Sequence, residues 1–191
     1  MKNIIIVGAS RSGKSTLAKK ICKEFNYVYI PFDAIISTLE NLYPETGLKH
    51  LDDNEEISPK FAKFIAEFTS HLDYEDINYV FDLYQLYPQD LLDNLDKSKF
   101  VILYLGYPNL SPEEKHDFVK KFAREKDWTR NTKDQEMLEI LKLFIRENKK
   151  MYEECIKLDI PFFDTGSNFD LMLDNAYLYI KNQITNNNDE L

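Results

Sequence analysis

An α/β fold built on a parallel sheet is what this sequence predicts, and three observations carry the prediction. Five short runs of β-branched and aromatic residues alternate with amphipathic helical patterns along the chain, the order expected of right-handed strand–helix–strand crossovers. The first run, residues 3–7, is apolar on both faces, as a strand covered by helices on either side must be. The 191 residues contain no internal repeat and no linker rich in Gly, Ser or Pro, so residues 1–191 read as one domain.

The elements follow in order. A strand over residues 3–7 ends at Gly8, and a helix over about 14–25 turns Leu17, Ala18, Ile21 and Cys22 to one face. A second strand spans 27–32 and a helix 34–42. Residues 49–56 are acidic and irregular. Ser58 and Pro59 then look like the cap and first residue of a helix whose stripe is Phe61, Phe64, Ile65, Phe68 and Leu72. A third strand covers 79–82, a helix about 88–95, and a fourth strand 100–105. Ser111 with Glu114 forms a capping box for a helix to about 122, and Thr132 with Gln135 reads as a second one. That second box opens a long helix carrying Met137, Leu141, Phe144, Ile145, Tyr152 and Cys155. A fifth strand over 160–164 and a helix over about 168–184 complete the series.

Composition narrows the function. A net charge of −9 gives no general attraction for a phosphate backbone or an anionic lipid surface, so neither nucleic acid nor membrane is an expected partner. Two cysteines, Cys22 and Cys155, are too few for a disulfide framework and sit among apolar neighbours. A cytoplasmic setting is the expectation. His50, His71 and His116 share no metal-ligand spacing with the cysteines.

The sharpest signal is Gly8-Ala9-Ser10-Arg11-Ser12-Gly13-Lys14-Ser15, a complete G-x-x-x-x-G-K-[ST] phosphate loop, followed by Thr16. Its two glycines let the backbone bend around an anion, and its amides and the next helix's N-terminus point at phosphate. Lys14 supplies a cation for the β- and γ-phosphates, and Ser15 a hydroxyl for Mg²⁺. The motif sits between a buried strand and an amphipathic helix, the context in which it binds a nucleoside triphosphate such as ATP.

Two acids close strands at the carboxyl edge of the sheet, where open α/β folds place their ligands. Asp82, after Tyr79-Val80-Phe81, is the candidate metal-side carboxylate. Asp33, after Ile30-Pro31-Phe32, is placed to accept the proton of an attacking hydroxyl, and it is equally suited to cap a helix starting at Ala34. Arg124, Lys126 and Arg130 lie in a charged connection suited to a lid over the triphosphate, with Arg124 and Arg130 the preferred phosphate partners. Phe32, Tyr84 and Tyr87 suit either ring stacking or ordinary packing.

With these motifs the chain resembles the P-loop nucleotide-kinase-like family, which includes adenylate kinase, shikimate kinase and related small-molecule kinases. The resemblance implies a three-layer P-loop NTPase fold whose five-stranded parallel sheet runs in the order 2-3-1-4-5. It further implies an acceptor-binding insertion at about 34–75, a lid at about 107–135, and an adenine-side turn at Gly166-Ser167 after the last strand. One departure stands out. Nucleoside-monophosphate kinases resemble one another in gripping the acceptor phosphate with arginines, and here no arginine lies between Arg11 and Arg124. The insertion instead carries Asp52, Asp53, Glu55 and Glu56. The reading is an ATP- and Mg²⁺-dependent kinase whose small-molecule acceptor offers a hydroxyl and no phosphate. The alternatives are an ATPase or nucleotide switch without a small acceptor, and a nucleoside-monophosphate kinase.

Overall fold

The computed structural model describes residues 2–49, 54–72, 77–123 and 128–185. Five strands form one parallel sheet in the order β2-β3-β1-β4-β5, as expected. The strands are β1 (Asn3–Gly8), β2 (Val28–Pro31), β3 (Tyr79–Leu83), β4 (Phe100–Gly106) and β5 (Phe162–Asp164). The helices are α1 (Lys14–Phe25), α2 (Phe32–Leu42), α3 (Asn54–Ser70), α4 (Pro88–Asn94), α5 (Pro112–Phe122), α6 (Asp134–Lys157) and α7 (Phe169–Thr185). None of them is long and apolar enough to cross a membrane.

The two-residue period of the strands sorts the core into two layers. Ile5 and Val7 of β1, Phe81 and Leu83 of β3, and Ile102 and Tyr104 of β4 pack on α2, α3 and α6. Ile4, Ile6, Val80, Val101, Leu103 and Leu105 face α1 and α7, meeting Leu17, Ala18, Ile21, Ala176 and Ile180. Asp82 interrupts this second set. Its parity on β3 puts it on the α1 face, where another aliphatic residue would continue the layer, and its register opposite Ile6 brings it to the carboxyl edge.

Three expected helix starts are corrected. The chain is already helical at Asn54, so Ser58 is no cap and Pro59 lies inside α3. Tertiary contact explains this: the buried Ser58 hydroxyl donates to Asp90 Oδ2 at 2.6 Å and accepts from the Tyr87 amide at 2.7 Å, pinning α3 to the first turn of α4. The residue preceding α6 is Lys133 rather than Thr132, with no side-chain cap. At α2 the helix begins at Phe32 with Pro31 before it, which puts Asp33 in the first turn instead of at the cap. The Ser111–Glu114 box of α5 is present with both hydrogen bonds.

Candidate nucleotide site

The loop between β1 and α1 takes its shape from two glycines. A Cβ on Gly8 would lie 1.9 Å from the Leu105 carbonyl oxygen, so no side chain fits where β1 meets β4. Gly13 has φ of 99°, and a Cβ there would meet Leu173 and Phe169 of α7 at 2.8 and 3.2 Å. Arg11 takes φ of 65°, a left-handed conformation uncommon for a residue with a Cβ and typical of functional loops. Helix α1 has neither a side-chain cap nor an acidic residue in its first turn. Its first amides and the positive end of its dipole are therefore directed at whatever occupies the loop.

Lys14 is buried, and its ammonium donates to the Ala9 carbonyl at 3.0 Å and lies 4.0 Å from Asp82 Oδ1. The Ser15 hydroxyl donates to Asp82 Oδ2 at 2.6 Å, and Tyr29 donates to the same oxygen at 2.8 Å. Burial, with Asp82 and Asp33 nearby, pushes the Tyr29 hydroxyl far above its usual range, so it stays a donor. Asp82 Oδ1 is buried and accepts no hydrogen bond among the described residues. A carboxylate oxygen buried without a donor is costly, and beside a serine hydroxyl it belongs to the all-oxygen donor set that a hard divalent cation prefers. The residues present thus fit Mg²⁺.

Above the loop opens a cavity of about 720 Å³. Arg11, Lys14, Ser15 and Thr16 line its floor, Lys115, Phe118, Val119 and Phe122 of α5 one wall, and Asn168, Phe169 and Asp170 the other. Phe118, Phe122 and Phe169 are 45%, 61% and 39% exposed, too open for packing to account for them. The Phe118 and Phe122 rings stack with centroids 6.4 Å apart. Gly166 and Ser167, expected beside the base, do not line the cavity. The Gly166 amide and the Ser167 hydroxyl bond to Asp164 instead, forming the turn that precedes Asn168. Ser10 offers its carbonyl to the Tyr107 hydroxyl at 2.6 Å, and Ser12 is fully buried.

The remaining candidates are spread more widely. Asp33 is exposed, and its charge acts on the hydroxyls of both Tyr29 and Tyr84. Asn54 and Glu147 also bear on Tyr84. Glu147, buried on α6, accepts from the Tyr87 hydroxyl and from Arg146 Nε at 3.1 Å. Phe32 is wholly buried among Phe61, Phe64, Phe68 and Phe81, so it packs the core and has no face for a ligand ring. Arg130 is exposed and donates to the Ala123 carbonyl at 3.1 Å, outside the cavity wall. Arg124, Lys126, Asp52, Asp53 and His50 lie outside the described residues. Arg11 reaches Thr129 at 3.2 Å and so ties the loop to the segment before α6.

Sequence reasoning missed Lys115 and the phenylalanines. Phe118 and Phe122 stand four apart on α5, a spacing that marks one helical face, and both stay exposed among the described residues. That signal was available in the sequence and reads there as an ordinary apolar stripe.

No protein-family model matches the chain, and no curated protein sequence does. Solved structures do match. A gluconokinase from Sinorhizobium meliloti 1021 superposes with a TM-score of 0.62 at 14% identity, covering 99% of this chain and 97% of that one. A shikimate kinase from Bacteroides thetaiotaomicron gives 0.57 at 14% identity over 96% of this chain and 98% of its own. The shikimate kinase from Acinetobacter baumannii, solved with shikimate, gives 0.53 at 14% identity over 97% and 96%. Sheet order, phosphate loop and these likenesses together give this chain the fold of the small P-loop kinases of the shikimate-kinase type.

Proposed function

We propose that this protein transfers the γ-phosphoryl group of ATP to a hydroxyl of a small molecule that carries no phosphate of its own. The observation that carries this reading is the phosphate loop opening onto a nucleotide-sized cavity, with Ser15 on its floor bonded to Asp82. Lys14 and the loop amides of residues 8–16 hold the β- and γ-phosphates. Ser15 and Asp82 would hold Mg²⁺, which supplies charge neutralisation on those phosphates. Asp33 accepts the proton as the acceptor oxygen bonds to phosphorus and the β–γ bridging bond breaks, leaving ADP. Phe118, Phe122 and Phe169 give the base a stacking wall, with Gly166 and Ser167 shaping the turn behind it. Arg124 and Arg130 belong to a lid at about 107–135, which the Arg11–Thr129 bond would couple to the loop.

The acceptor class follows from charge. On the acceptor side the described residues include Asp33, Asn54, Tyr84 and Glu147, and the sequence offers no arginine between Arg11 and Arg124. A dianionic phosphate would meet carboxylates there, and the guanidinium of Arg146 is already paired with Glu147 at 3.1 Å. The likeness to a gluconokinase and to a shikimate kinase bound to shikimate supports a hydroxylated, unphosphorylated acceptor. A coupled assay of ADP release over polyols, hydroxy acids, amino alcohols and nucleoside monophosphates tests the reading. Turnover is expected with one of the first three classes, and brisk phosphorylation of AMP, CMP or UMP would refute it.

The aromatic wall makes its own prediction. Phe118→Ala should raise the KM for ATP about tenfold, the loss expected for one base-stacking ring. The KM for the acceptor should hold, and steady-state kinetics against each substrate in turn separates the two.

A further inference from the structure

Lys115 is the feature of the cavity that the loop chemistry leaves unexplained. It lies in the first turns of α5 and is 7% exposed, which is rare for a lysine with no carboxylate partner among the described residues. Its ammonium donates to the Arg11 carbonyl at 2.9 Å and stands 3.7 Å from the centre of the Tyr107 ring. Arg11 and Lys14 are the charged groups that face it from the loop and α1. Tyr107 faces it from the β4–α5 connection. Asp170 lines the opposite wall on α7 and makes no ion pair with it. Three cationic side chains, Arg11, Lys14 and Lys115, thus line one cavity, and Asp82 beneath it is bonded to Ser15 and Tyr29.

We propose that Lys115 is a further triphosphate ligand of this site, held against the loop carbonyl until the phosphates arrive and taking up a proton as it binds them. The proposal rests on the nucleotide-binding reading. Geometry gives it a reason: the loop carbonyl it holds belongs to Arg11, the residue in the left-handed conformation, so the same amine that meets the phosphate also fixes the loop. Burial, then the charges of Arg11 and Lys14, lower the amine's pKa to about 7, so near neutral pH it carries its proton only part of the time. A triphosphate reverses the second cause by supplying negative charge.

Calorimetric titration of the full chain with Mg-ATP, repeated in two buffers of different ionisation enthalpy at pH 8, reads the proton directly. Wild type should take up most of one proton per nucleotide, the deficit left by a pKa near 7. At pH 6 the uptake should nearly vanish. Lys115→Met should abolish the uptake at pH 8 and weaken binding about tenfold to a hundredfold, the range for one charge-assisted hydrogen bond. Lys115→Arg should keep most of the affinity with no uptake, because a guanidinium is never neutral. Equal uptake in wild type and Lys115→Met, or Lys115→Arg binding as weakly as Lys115→Met, would overturn the role. Wild type failing to bind Mg-ATP at all would instead remove the nucleotide reading beneath it. The melting temperature of each variant checks the fold.

Discussion

Replacing Lys14 with methionine should lower phosphoryl transfer about a thousandfold, the loss seen when one positioned charge is removed from a developing anion. The stem of the side chain is buried, and methionine preserves it, so the loop keeps its packing. What disappears is the ammonium that donates to the Ala9 carbonyl at 3.0 Å. That hydrogen bond is easily exchanged for a phosphate oxygen, since both partners are local to the loop. The variant should also be slightly less stable, because the buried Asp82 loses the cation 4.0 Å from it. Single-turnover kinetics with labelled ATP, set beside a thermal melt, checks both. Wild-type turnover in the variant would remove the loop from the chemistry.

Asp33→Asn should cut turnover about a hundredfold to ten-thousandfold, the contribution of a positioned general base. Stability should fall by only about 0.3–1 kcal/mol, the worth of an acid in a helix's first turn. The two effects part because Asp33 is exposed, while its charge still reaches the Tyr29 and Tyr84 hydroxyls around the crevice. The KM for ATP should hold in the variant. A loss of turnover no larger than the stability change accounts for would assign Asp33 to the helix alone.

Legibility of this molecule in its sequence tracked the range of the interactions involved. The phosphate loop is a local object: Gly8 and Gly13 set its backbone, and both are eight residues or fewer from the hydroxyl of Ser15. Asp82 was readable because a carboxylate ending an apolar strand has few other reasons to be there. Lys115 was not readable. It is one of several lysines on α5, and only the rotation of that helix against Tyr107 and the Arg11 carbonyl buries it. Ser58 misled for a related reason. Its dipeptide with Pro59 carries the local signature of a helix start, and the bonds to Asp90 and Tyr87 that it makes instead come from across the fold. Phe118 and Phe122 stand four apart in the sequence, but that spacing does not say whether they face the core or a ligand.

The bend at Gly8 has a consequence for how the protein is made. The strand that feeds it is central, flanked by residues far downstream, with Ile4 beside Val80 on one side and Val101 on the other. The Leu105 carbonyl closes against Gly8 only once β4 is in place. During synthesis the nucleotide cradle therefore stays unformed until more than half of the chain has left the ribosome. Until then an exposed aliphatic run waits for neighbours, a high-contact-order arrangement that folds slowly and favours chaperone capture over early ligand rescue.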